Sequence, residues 1–119
     1  MHGVKLFTGA AVSVLLMALA GPAPALADTI EAGRQKFQGH CAMCHETQYA
    51  NRAVFPDLRY SPMINTPEGF SAVVLEGLLQ ANGMASFKER LTAEEAQSIR
   101  AYIIERANQL KSAPPGQRR

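Results

Sequence analysis

Cysteine is scarce in this chain: Cys41 and Cys44 are the only two among 119 residues. A bridge between them would close a tight, strained ring, so a structural disulfide is a poor use of the pair. Histidine is nearly as sparse, at His2, His40 and His45. Zinc needs four ligands, and the pair reads poorly as half of such a site. No series of strands can be traced, so the βαβ setting of a thioredoxin-like redox pair is missing. No internal repeat is visible. Beyond Lys5 the only lysines are Lys36, Lys88 and Lys111, and nothing resembles a nucleic-acid footprint.

A long apolar span is also missing. Leu6 to Ala20 is almost unbroken in its hydrophobicity, yet a membrane helix needs about 20 residues. His2 and Lys5 precede that run; Gly21, Pro22, Pro24 and Ala25-Leu26-Ala27 follow it. That order of parts reads as a secretory signal peptide over residues 1–27, with an A-x-A cleavage site. An uncleaved anchor is the competing reading. Cleavage takes 27 of the 119 residues and leaves 92 as a single domain, residues 28–119. That domain keeps eleven of the twelve Lys and Arg and all ten Asp and Glu, a formal charge of +1. A domain of that size has a thin core and often needs a staple.

What is present is one dense stretch, Cys41-Ala42-Met43-Cys44-His45. It reads C-x-x-C-H, the attachment signature of a c-type haem. Two thiols at this spacing can each add to one vinyl group of a rigid macrocycle, and the adjacent histidine can bind the iron. A covalently held porphyrin would then be the staple that the small domain needs. His40, directly before Cys41, reads as an exposed polar helix residue rather than a ligand.

The periodicity predicts three helices. Asp28 and Thr29 are candidate caps for the first, with Ile30, Gly33, Phe37 and Cys41 on one face. Gly33 is either a close-approach point for another helix or a tolerated surface glycine. Residues 46–65 carry Asn51, Pro56, Pro62 and Asn65 and read as a long loop, which in a small domain should wrap around something. Thr66-Pro67-Glu68 opens the second helix, whose apolar stripe is Phe70, Val73, Val74, Gly77 and Leu78, with Asn82-Gly83 as its end. Thr92 and Glu95 form a capping-box pattern for the last helix. Its apolar face is Ala96, Ile99, Ile103, Ala107 and Leu110, with Tyr102 beside it. Pro114, Pro115 and Gly116 stop it, leaving residues 112–119 as a flexible tail.

An iron bound by His45 has an opposite face to fill. The candidates are Met43, Met63, Met84, His40 or an open position. Met43 lies inside the attachment loop and cannot reach the far face. Met84 follows Gly83, which lets the backbone approach closely, and lies far enough downstream for a helix to pass round the haem first. Met84 is therefore the expected sixth ligand. A thioether favours ferrous iron and raises the potential relative to two histidines.

With these residues in place the chain resembles a class I cytochrome c, an all-α fold of three main helices around one covalent haem c. It is more closely similar to the C-terminal cytochrome domain of quinohaemoprotein alcohol dehydrogenases, which use pyrroloquinoline quinone. The stretches that carry this are Phe55-Pro56-Asp57-Leu58-Arg59-Tyr60-Ser61, Val74-Leu75-Glu76-Gly77, Gly83-Met84-Ala85-Ser86-Phe87 and Ala101-Tyr102-Ile103-Ile104-Glu105-Arg106-Ala107. The resemblance implies that the Pro56 carbonyl orients His45, that Arg59 approaches a haem propionate, and that Gly33 and Phe37 cross the last helix near Tyr102. Glu46 stands where glycine is usual and Ala85 where proline is usual. The quinone-binding domain is absent from this sequence. The implied function is one-electron transfer in the periplasm, from a separate quinoprotein dehydrogenase to a later cytochrome or terminal oxidase of the respiratory chain. An open-site haem sensor or enzyme, and a permanent cytochrome subunit of a dehydrogenase complex, are the alternatives.

Overall fold

The computed structural model describes residues 24–46 and 55–118, together with Met1. The leader reading over residues 1–27 falls mostly outside the described residues, as does the 47–54 part of the loop reading over residues 46–65. Among the described residues there are four α-helices: α1 (Leu26–His40), α2 (Ala42–His45), α3 (Pro67–Val74) and α4 (Ala93–Ser112). Short 3-10 turns occupy Leu58–Tyr60, Pro62–Asn65, Gln80–Asn82 and Pro115–Gln117. No strand occurs among the described residues. The all-α expectation is met.

Helix α4 is the post on which the other elements are mounted. It starts with the anticipated capping box: the Glu95 amide donates to Thr92 Oγ1 at 3.1 Å, and the Thr92 amide donates to Glu95 Oε2 at 2.9 Å. Two orphan amides of the first turn are thereby satisfied. Its apolar face is buried throughout, with Ala96 and Ile99 fully enclosed and Ile103, Ala107 and Leu110 nearly so.

Helix α1 crosses α4 at Gly33. A Cβ on Gly33 would lie 1.9 Å from the Ser98 carbonyl oxygen. Of the two readings of this glycine, close helix approach is the correct one. One turn further on, the rings of Phe37 and Tyr102 pack at 5.3 Å between centroids, tilted by 58°. Lys36 of α1 pairs with Glu95 at the head of α4. The helix begins at Leu26, before the expected caps Asp28 and Thr29, and Ala25 at its N-cap makes no side-chain hydrogen bond. The earlier start follows from the good helix-forming propensity of Leu26 and Ala27.

Helix α3 opens as anticipated, with the Gly69 amide donating to Thr66 Oγ1 at 3.0 Å and Pro67 in the first turn. It ends earlier than the apolar stripe suggested, at Val74 rather than Asn82. Gly77 takes φ +72°, which ends the regular helix, and Leu78 is left largely exposed. Gln97 of α4 reaches Pro67 O at 3.2 Å and Ser71 Oγ at 3.0 Å. Arg100 of α4 donates from Nε to Ile64 O at 2.8 Å. These bonds fix α3 and the turn before it against the same post. The segment read as a long loop is thus not structureless in its second half.

Candidate haem site

Helix α2 is the attachment motif itself. The single helical turn follows a break at Cys41, whose amide still donates to Phe37 O at 2.8 Å. The amides of Cys44 and His45 both donate to Cys41 O, at 3.1 and 2.9 Å. The two cysteines and the histidine are therefore held on one rigid turn, continuous with α1 and so anchored to α4.

The two cysteines are not joined to each other. Cys41 is buried in the core cluster beside Phe37 and Tyr102. Burial, and secondarily the neighbouring Cys44, push the Cys41 thiol up to about 12. Redox-exchange thiols are shifted the opposite way. Cys41 is therefore unlike a thiol tuned for disulfide exchange.

The His45 ring is buried, and its Nδ1 lies 3.0 Å from the Pro56 carbonyl oxygen. A carbonyl can only accept, so Nδ1 must carry the proton in this contact. The lone pair is then on Nε2, the nitrogen on the far side of the ring. A ligating histidine held in this way has its tautomer and orientation set before metal arrives.

Asp57 and Arg59 form a compact unit next to Pro56. Asp57 accepts from the Arg59 amide at 3.0 Å, from Nε at 3.0 and 3.1 Å, and from Nη2 at 2.6 Å. The hydrogen bonds to Asp57 raise the Arg59 guanidinium above its usual value. Glu46, directly after His45, pairs with Arg106 of α4 at 3.6 Å and accepts weakly from Gln38 at 3.4 Å. Arg106 also donates to the Tyr102 hydroxyl at 3.0 Å. Glu46, a departure from the resembled family, is therefore tied into α1 and α4, a role the sequence did not suggest.

A cavity of about 410 Å³ is lined by Pro56, Tyr60, Met63 and Leu79 among others; Cys41, Cys44 and His45 are not in its lining, and His45 is joined to it only through Pro56. Its wall is largely apolar, and the Pro56 that holds His45 is part of it. A flat apolar macrocycle fits such a wall, and His45 supplies the nitrogen donor suited to its iron. The residues present fit a haem. Met63 borders this cavity, whereas Met84 packs, partly buried, against the core cluster with Phe87. His40 is not simply an exposed polar residue: it is half-buried and its ring meets the edge of Phe87, 6.0 Å between centroids. No group of three or more His, Cys, Asp or Glu suited to a metal ion occurs among the described residues. No helix among them is long and apolar enough to cross a membrane.

Known proteins resemble this chain in sequence. Residues 28–103 match the family described as "Cytochrome C oxidase, cbb3-type, subunit III". The chain is 35% identical over 85 residues to the quinohemoprotein alcohol dehydrogenase ADH IIB of Pseudomonas putida, covering 71% of this chain and 12% of that one. It is 39% identical over 77 residues to the dehydrogenase subunit of the quinone alcohol dehydrogenase of Komagataeibacter europaeus, covering 65% and 10% respectively. The chain thus spans only about a tenth of the length of these curated relatives. It is also 31% identical over 88 residues to a cytochrome c6-like protein of Nostoc, covering 71% of this chain and 77% of that one. No solved structure matches it significantly. The helical turn bearing C-x-x-C-H, the oriented His45 and the family match over residues 28–103 place the chain in the family of cytochrome c domains, electron-transfer proteins that bind haem c covalently.

Proposed function

We propose that this protein is an exported mono-haem electron carrier with no substrate of its own. In this reading Cys41 and Cys44 form the two thioether links, and His45 Nε2 and the Met84 thioether ligate the iron. Bound haem supplies a reversible one-electron couple. The chain does the rest. Pro56 holds the proton of His45 at Nδ1, so Nε2 stays available. Arg59, held rigid by Asp57, offers a guanidinium for a propionate. Tyr60 and Leu79 supply apolar surface that keeps water from the couple.

The observation that carries the reading is the His45 Nδ1 to Pro56 O contact of 3.0 Å beside the two thiols. It prepares a nitrogen ligand at the position that the attachment spacing demands. Support for Met84 comes from Gly83, whose φ of +93° turns the chain just before it, and from the resemblance over residues 83–87. Met63 is the rival because it borders the cavity.

The donor proposed is a quinoprotein alcohol dehydrogenase, on the strength of the relatives named above. The acceptor proposed is a later cytochrome or a terminal oxidase. Export through residues 1–27 to the periplasm completes the proposal, and Asp28 becomes the first mature residue. The test is to mature the protein in an exporting host and measure its intact mass. One haem added to a chain starting at Asp28 is expected; retention of residues 1–27 would overturn cleavage in favour of the uncleaved membrane anchor. Reduction by a substrate-loaded quinoprotein dehydrogenase should follow in stopped flow. A reduced protein that binds carbon monoxide readily, and accepts no electrons, would refute the carrier reading in favour of an open-site sensor or enzyme.

A further inference from the structure

The segment that carries Met84 closes the end of α3. That helix stops at Val74 and leaves its last carbonyls in need of donors. The chain beyond Gly83 supplies two. The Phe87 amide donates to Val74 O at 2.8 Å, and the Ser86 hydroxyl donates to Leu75 O at 2.5 Å. Lys88 and Glu76 pair across the same gap at 2.9 Å, but both are well exposed and such pairs contribute little. The approach is possible because of Gly77. A Cβ there would meet Ser86 Cβ at 3.3 Å and Gln80 Oε1 at 3.1 Å, on a backbone already at φ +72°. Ser86 is half-buried and its acceptor residue Leu75 is buried, so water competes little with this hydroxyl bond.

We propose that Ser86 is a positioning residue that keeps Met84 on the haem iron. It does so by a side-chain hydrogen bond, where a proline at position 85 would act by fixing the backbone. Ala85 supplies no such restraint. The inference rests on Met84 as the sixth ligand, and the experiment separates the two claims.

Ferric holo-protein is titrated with imidazole while the near-infrared sulfur-to-iron charge-transfer band is followed. Imidazole must displace the thioether, so its affinity reports how firmly the methionine is held. S86A should raise that affinity roughly fivefold, the factor carried by one net hydrogen bond. S86T keeps the hydroxyl and should stay within about twofold of the unmodified protein. Unchanged affinity in S86A, or an equal rise in S86T, overturns the role of Ser86. The ligand itself is checked with M84A and M63A: M84A should abolish the band and open reduced iron to carbon monoxide, while M63A should retain the band. If M84A keeps the band, the ligand assignment falls, and this inference with it. If M84A loses it and S86A leaves imidazole affinity unchanged, only the Ser86 role is wrong.

Discussion

Replacing Gly33 by alanine should destabilise the protein, although alanine is the better helix former. The new Cβ would lie 1.9 Å from the Ser98 carbonyl oxygen and 2.4 Å from its carbon. Ordinary contact begins at 3.4 Å, so α1 and α4 must part by about 1.5 Å at this point. Backbone atoms cannot swing aside as a side-chain tip can. Parting the helices loosens the Phe37–Tyr102 ring pair and the fully enclosed Ala96 and Ile99. Overpacking of this kind costs about 3 kcal/mol, and alanine returns about 1 kcal/mol in helix propensity. The net loss is about 2 kcal/mol, which in a domain of this size lowers the melting temperature by roughly 8–16 °C. Gly39→Ala is the internal control. It lies in the same helix, with nothing within 4 Å of a Cβ built there, and should be neutral or raise stability by up to about 1 kcal/mol. Thermal unfolding of the holo-protein, followed by far-ultraviolet dichroism, measures both. A G33A protein as stable as the G39A protein would refute the close approach of the two helices.

Glu95 gives a pH-dependent counterpart. The hydrogen bond to Lys36, then that to the Thr92 amide, lower its carboxyl below the usual value. A depressed carboxyl stabilises the fold above its unfolded value and loses that contribution as pH falls through the folded one. E95Q should therefore unfold at a lower temperature at neutral pH, and the gap to the unmodified protein should close on acidification; a constant gap would contradict the linkage. Arg59→Leu should leave haem attachment intact, as judged by mass, and alter the pH dependence of the haem potential; an unchanged profile would count against a propionate beside Arg59. With a nearly balanced chain, electron transfer from a quinoprotein dehydrogenase should slow only mildly as salt rises, and a steep fall in stopped-flow rate would reveal a charged docking patch.

Much of the fold is legible in the sequence because its signals are local. The capping box at Thr92 and Glu95, the Thr66-Pro67 start of α3 and the buried stripe of α4 are all short-range patterns, and each reappears in the structure. The haem motif is legible for the same reason, since its five residues lie on one turn. Gly33 was ambiguous in the sequence because both of its readings predict a glycine; only the position of Ser98 decides. The ties of Glu46 to Arg106 and of His40 to Phe87 were missed because their partners lie far along the chain. Tyr102 and Arg106, four residues apart on α4, were the available hint that a charged partner faces that side.

The end of α3 shows why a local rule fails where a non-local one takes over. Leu75, Leu78 and Leu79 continue the apolar run past Val74, so periodicity alone extends the helix. The carbonyls of Val74 and Leu75 instead find donors at Phe87 and Ser86, and Gly77 permits the turn that brings those donors in. Ending the helix there changes what the leucines do. Leu75 stays in the core, while Leu79 becomes part of the cavity wall facing Pro56 and Met63. A continued helix would carry Leu79 on along the α3 axis rather than round to that wall. With haem held as proposed, the early stop would place an apolar side chain where the macrocycle needs cover; it also ties the Met84 segment to the helix that ends beside it.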